Sequence, residues 1–135
     1  MNAFIVTLTD KPGELAKVTE ALATKGIDIT SFAGVTCGGD GTVALLTNDE
    51  TGTRRALGDG GFRVRELEVQ SASLENKPGT LAELTRKLAD AGVNIECAIP
   101  TGMAGTMVTI AIATSDPTRA RSLLGSKERT GVGMG

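Results

Sequence analysis

Asp10-Lys11-Pro12-Gly13-Glu14-Leu15-Ala16 is written a second time as Asn76-Lys77-Pro78-Gly79-Thr80-Leu81-Ala82, and the echo continues downstream. Thr19, Leu22, Ala23, Gly26 and Ile29 return as Thr85, Leu88, Ala89, Gly92 and Ile95, always 66 positions later. One structural unit therefore appears twice, and a repeat of this length sets the architecture before any single residue does.

Each copy opens on a strand, Ala3 to Thr9 in the first and Leu67 to Leu74 in the second, which the Lys-Pro-Gly stretch breaks. The helix that follows is amphipathic: Leu15, Val18, Thr19 and Leu22, matched by Leu81, Leu84, Thr85 and Leu88, keep the i, i+3, i+4, i+7 rhythm of a buried stripe. The proline is expected near the first helical position, where its missing N–H costs nothing, and Gly26 or Gly92 supplies a left-handed stop.

After each stop the period changes to two. Ile27, Ile29, Ser31, Ala33 and Val35 fall on one side of a strand, with Asp28, Thr30 and Phe32 on the other. Gly38-Gly39-Asp40-Gly41 predicts a hairpin turn into a strand over Thr42 to Thr47, and a turn over Thr101 to Gly105 leads into Met107 to Thr114. A second, shorter helix is expected at Arg54 to Gly58 and again at Arg121 to Gly125, the latter led by Ser115-Asp116-Pro117. Phe62 to Glu66 gives the first copy a last strand that runs without a linker into the second.

The order strand, helix, strand, strand, helix, strand predicts an α+β chain of two tandem ferredoxin-like βαββαβ units, their antiparallel sheets packed side by side. The expected boundaries are 1–66, 67–125 and a glycine-rich tail over 126–135, read as disordered. A ferredoxin-like unit leaves one sheet face uncovered by its helices, so pairing of chains into a homodimer is expected.

Composition works by exclusion. Among 135 residues, 14 Lys and Arg stand against 16 Asp and Glu, so the formal net charge of −2 gives no general attraction to nucleic acid or an anionic membrane. Aromatic residues are 2 % with no Trp or Tyr, too few to build stacking platforms for single-stranded nucleic acid or RNA. Histidine is absent, which removes imidazole bases, Ser-His and Cys-His pairs and His-containing metal sites. Carboxylates such as Asp10, Asp28 and Glu96 have no nucleophile, metal or cofactor pattern around them, so no catalytic residue, cofactor or metal is assigned. Cys37 and Cys97 are not repeat equivalents and are expected as two buried, reduced thiols. The start of the sequence shows no basic or apolar leader, and its longest apolar run is far too short for a bilayer, so a cytoplasmic location is expected.

The Lys-Pro-Gly elbows are the candidate ligand sites. A helix start offers unpaired N–H groups and the positive end of the macrodipole, which suits a carboxylate, and glycine lets a ligand approach the backbone. Plain capping and turn chemistry explains the same residues, and the two readings are compatible. Asn76 carries both donor and acceptor, so an ammonium group on Asn76 and a carboxylate on the helix amides would together hold an α-amino acid head group. Asp10 and Asp28 stand at the first copy's equivalents of Asn76 and Asn94. They suit an ammonium but repel a carboxylate, which favours the second copy as the working site.

The quoted elbows, with Gly26-Ile27-Asp28-Ile29 and Gly92-Val93-Asn94-Ile95 after them, resemble the signature of ACT domains, small-molecule-sensing modules attached to many enzymes of amino acid metabolism. The resemblance covers the chain twice, to about Gly125, and is similar to the small stand-alone tandem ACT proteins. It implies sheets joined across domains and an amino acid held where the first strand-helix loop meets a neighbouring domain. Carried onto this chain, the implied ligand-binding positions are Asn76, Lys77, Pro78, Gly79, Thr80, Leu81, Asn94 and Ile95 in the second copy. In the first they are Asp10, Gly13, Glu14, Leu15, Asp28 and Ile29. Asn76 and Asn94 fall where serine-sensing ACT domains of phosphoglycerate dehydrogenases place asparagines; Leu74 stands where such domains often carry histidine, a departure from that pattern. Gly92 to Glu96 is also similar to a segment of acetolactate synthase regulatory subunits, whose ligand is branched-chain.

The expected function is thus a non-catalytic regulatory module that binds a small amino acid and controls assembly or a partner enzyme of amino acid metabolism. The alternative is a purely structural ACT subunit without ligand, resembling an enzyme regulatory subunit.

Overall fold

The computed structural model describes residues 1–124; the expected tail over 126–135 lies outside them. The chain divides into two compact units, Asn2–Leu67 and the residues from Glu68 onward, with Met1 assigned to the latter. The division falls inside one continuous strand.

The first unit runs β1 (Asn2–Thr9), α1 (Glu14–Thr24), β2 (Ile29–Cys37), β3 (Asp40–Thr47), α2 (Glu50–Asp59) and the start of β4 (Arg63–Glu75). Its antiparallel strands lie in the order β2-β3-β1. The second unit takes the rest of β4, then α3 (Thr80–Asp90), β5 (Ile95–Ala104), β6 (Met107–Thr114) and a helix over 117–124, with strands ordered β4-β6-β5. The fold is α+β and ferredoxin-like, with the βαββαβ order complete in the first unit and βαββα within the described residues of the second. None of the described helices is long and apolar enough to cross a membrane.

Each helix buries the stripe that its periodicity announces, but over a shorter length. Val18 and Leu22 of α1 are fully buried against Phe4, Val6, Val43, Leu45 and Leu57, and Phe62 and Val64 pack on the same core. Leu84 of α3 joins Ala72, Leu74, Ile112 and Leu124, while Leu88 joins Val93 and Ala120. Each such side chain contributes about 1.5–3 kcal/mol relative to exposure. Leu15 and Leu81 do not join the stripe: they are 46 % and 53 % exposed, and Leu15 borders an open cleft rather than a packed neighbour.

Helix ends follow from glycine. Gly26 N–H donates to Ala23 C=O and Ile27 N–H to Leu22 C=O; Gly92 and Val93 repeat this onto Ala89 and Leu88. These are Schellman endings, and Gly26 and Gly92 take the left-handed φ of 70° and 75° that the motif requires. At the other end Pro12 and Pro78 are not in the first helical position; they sit in the turn before Gly13 and Gly79, which are the N-caps with φ of 90° and 92°.

The hairpins are tighter than expected. β2 and β3 are joined by Gly38 and Gly39 alone, both at positive φ, so the strand begins at Asp40 rather than Thr42. β5 continues to Ala104, and the turn is Gly105-Thr106 rather than Thr101 to Gly105. Gly105 alone has positive φ there, as a type II′ turn requires. Val35, on the same side of the alternation as Ile27 and Ile29, is exposed, and α2 begins at Glu50 because Asp49 caps it. Neither thiol is fully buried: Cys37 ends β2 at the hairpin tip and is exposed, and Cys97 is half-buried, which pushes its thiol up.

Candidate functional site

The two elbows are built alike. Asp10 N–H donates to Gly39 C=O at 3.0 Å and Asn76 N–H to Thr106 C=O at 2.7 Å, so each loop is tied to the second residue of its unit's hairpin turn. Lys11 and Lys77 N–H then reach back to Thr9 and Glu75 C=O, both at 2.9 Å. The first regular helical bonds are Lys17 N–H to Gly13 C=O and Glu83 N–H to Gly79 C=O. Amides before these bonds, Leu15 and Ala16 in α1 and Leu81 and Ala82 in α3, have no acceptor within the helix.

No side chain caps either elbow. The Thr80 hydroxyl donates to Glu75 C=O at 2.7 Å and Lys77 C=O at 3.1 Å, bracing the loop instead. The other helix of each unit differs. The Asp49 carboxylate accepts from Gly52 N–H, and the Asp116 carboxylate accepts from Arg119 N–H. Amides left uncapped in both copies are thus a property of the elbows, not of helix starts in this chain generally.

A cleft opens beside the first elbow, with a cavity volume of about 520 Å³. Leu8, Leu15, Phe32 and Val43 give it apolar walls, Asp10, Lys11 and Glu14 line it with charge, and Thr9, Val35 and Thr36 complete the lining. Glu14 is occupied by Lys17, whose Nζ lies 2.9 Å from Oε2; that hydrogen bond holds the Glu14 carboxyl below the usual carboxylate range. Asp10 and Lys11 form no ion pair with the described residues. Gly34 and Gly41 stand where side chains would otherwise occupy the cleft.

Of the sequence-predicted residues, Asp10, Glu14 and Leu15 come together at this cleft, with Gly13 capping the helix beside them. Asp28 is not among them. Its N–H donates to Asn48 Oδ1 and its C=O accepts from Asn48 N–H, and Ile29 packs on the core. In the second unit Asn94 N–H donates to Ser115 Oγ and its C=O accepts from Ser115 N–H, with Ile95 packed on the core. Asn76, Pro78 and Gly79 are exposed, Leu81 is half-exposed, and Lys77 Nζ lies 2.9 Å from Glu75 Oε2. Leu74 is buried in the core.

Asn76 precedes α3 and Asn94 follows it, so an eleven-residue helix, about 16 Å long, separates them. Asp10 and Asp28 are separated in the same way by α1. One unit therefore does not bring both members of either pair to one small ligand. The residues that sequence reasoning missed are Leu8, Thr9, Lys11, Phe32, Gly34, Val35, Thr36, Gly41 and Val43; the alternation of β2 placed Phe32 with the polar face, although its register partner Leu45 is a core residue.

No protein-family model matches the chain, and no curated protein matches it. Solved structures do. Protein BT0572 from Bacteroides thetaiotaomicron is 26 % identical over 94 % of this chain and 88 % of its own, with a TM-score of 0.80. The ligand-free regulatory subunit of aspartate kinase from Thermus thermophilus is 19 % identical over 95 % and 89 %, with a TM-score of 0.67. Aspartate kinase from Clostridium acetobutylicum is 12 % identical, with 93 % of this chain matching 32 % of that one at a TM-score of 0.61. Across nearly its whole length, then, this chain has the fold of the aspartate kinase regulatory subunit.

Proposed function

We propose that this chain is a non-catalytic regulatory protein that binds a small amino acid at an ACT-type strand-to-helix elbow and thereby controls its own assembly or a partner enzyme of amino acid metabolism. The observation that carries this reading is the uncapped start of α1 opening beside a cleft lined by a carboxylate and an ammonium, Asp10 and Lys11, that form no ion pair with the described residues. Free amides and Lys11 suit a carboxylate, and Asp10 suits an ammonium. The fold shared with an aspartate kinase regulatory subunit supports the same reading.

Regulation would follow from differential affinity. Because α1 and α3 hold the elbow residues apart from Asp28 and Asn94, one ligand touches both kinds of residue only when a second module supplies the other half. Binding then favours whichever association state completes the site. A homodimer is the simplest such state. Exposed Phe32 and Val35 on β2, the end strand of its unit's sheet, support assembly and also favour the second reading, an assembly subunit without ligand.

Calorimetry of the full chain against each of the twenty common amino acids, paired with sedimentation, tests the proposal. Heat with at least one of them, accompanied by a shift in association state, is expected. Heat from none overturns ligand sensing, and a stable oligomer under those conditions would leave the assembly reading in its place.

A further inference from the structure

The two units put different residues at equivalent places around their elbows, and the register of the strands identifies the equivalents. Val6 pairs with Val43, and Val43 with Gly34; in the second unit Ala72 pairs with Ile110, and Ile110 with Pro100. Leu8 pairs with Gly41, and Gly41 with Thr36, whereas Leu74 pairs with Val108, and Val108 with Met103. The two glycines lining the first cleft thus become a proline ring and a valine side chain.

The charged groups differ in the same direction. Lys11 has no ion-pair partner among the described residues, since Thr9 occupies the place of Glu75, while Lys77 is held by Glu75 at 2.9 Å. Asp10 is an acid where Asn76 is neutral. The first unit therefore has glycine at two floor positions, with a cation and an anion that form no ion pair with the described residues; the second carries side chains at both positions, has Ala98 in place of Phe32, and has its cation held by Glu75.

We infer that the first unit's cleft is the ligand site and that it takes a single α-amino acid with a large apolar side chain. The inference rests on the amino acid reading proposed above and deepens it. A volume of about 520 Å³ lies within the range of about 300–1,000 Å³ common to small-molecule sites. Adjacent opposite charges match the two ends of a zwitterion and leave no net charge for a side-chain carboxylate or ammonium to neutralise. Beyond them Leu8, Leu15, Phe32 and Val43 present carbon, with Thr36 beside Gly41 as a lining hydroxyl, so the wall favours an apolar side chain over a charged one. On this inference the sheet floor of the first unit places the site, where the head-group asparagines of the second would place it by side-chain amides.

The test is calorimetry on the full chain with leucine, methionine and phenylalanine against serine, aspartate and lysine. Heat from the apolar set, with affinities at least tenfold above the polar set, is expected. Gly34→Val fills the floor, and the added Cβ would meet Thr42 C=O at 3.7 Å and Val43 Cγ2 at 3.9 Å, ordinary contact distances. It should weaken binding at least tenfold. Leu15→Asp, at a half-exposed position outside the buried core, should do the same and decides the matter if Gly34→Val folds poorly. Binding confined to polar amino acids overturns the ligand class. Loss of binding in Asn76→Ala with retention in both first-unit variants overturns the site, whereas silence from all twenty amino acids overturns the amino acid reading beneath it.

Discussion

Gly34 and Pro100 occupy one position written twice: each lies on the end strand of its unit's sheet and pairs across to a residue, Val43 or Ile110, that pairs in turn with the repeat equivalents Val6 and Ala72. At that position one copy carries no side chain and the other carries a ring. Gly34 does not have a positive φ, and the atoms nearest to an added Cβ are 3.7 Å away. No backbone demand keeps it a glycine. Gly34→Ala should therefore stabilise the free protein by about 0.4–1 kcal/mol, chiefly by restricting the unfolded chain. Urea denaturation reads this directly, and destabilisation would show that the space beside Gly34 is not open.

Gly13 and Gly79 are the opposite case. A Cβ at either would meet nothing within 4 Å, yet both have φ near 90°, where an L side chain is strained whatever the space. Gly13→Ala and Gly79→Ala should each cost about 1–2 kcal/mol by thermal or urea unfolding. The two values should agree closely, because the elbows share the same backbone hydrogen bonds.

Asp49 and Gly52 form a cap that depends on the absence of a side chain. The Asp49 carboxylate accepts from Gly52 N–H at 2.9 Å, and a Cβ on Gly52 would collide with that carboxylate. Asp49→Ala removes the cap and should cost about 1 kcal/mol. Gly52→Ala should cost a similar amount by expelling the same carboxylate. The double variant should then fall well short of the sum, since the second change has no cap left to break.

The elements were legible because local chemistry and tertiary packing agree on them. Lys-Pro-Gly elbows, Schellman glycines and the Gly38-Gly39 hairpin each have a backbone reason that operates within a few residues. Periodicity marks which face of a helix is apolar but not which of its residues are covered, so Leu15 and Leu81 read as core when only Val18, Leu22, Leu84 and Leu88 are fully buried. The site was less legible still. Asn76 and Asn94 stand at opposite ends of α3, and sequence alone does not say which other residues each one meets. Gly34 and Pro100 keep the 66-residue offset of the repeat, but only the strand register shows that both sit beside the elbow of their unit.

The first unit should be acid-sensitive through Glu66. Arg54 Nε lies 2.6 Å from Glu66 Oε2 and Arg54 Nη2 lies 2.7 Å from Oε1, a bidentate pair that joins α2 to β4, and Asn2 Nδ2 donates to Oε1 at 3.2 Å. The guanidinium hydrogen bond holds the Glu66 carboxyl below its ordinary range. Because the folded pKa is depressed, the stabilisation is fully present above the unfolded value and is lost as pH falls through the folded one. Arg54→Gln should lower the thermal midpoint at neutral pH, and its deficit relative to the parent should shrink as the pH drops through that window. The effect is modest because both groups remain partly in water. Melting curves at several acidic pH values would measure it, and a deficit independent of pH would assign the loss to packing of the arginine stem instead.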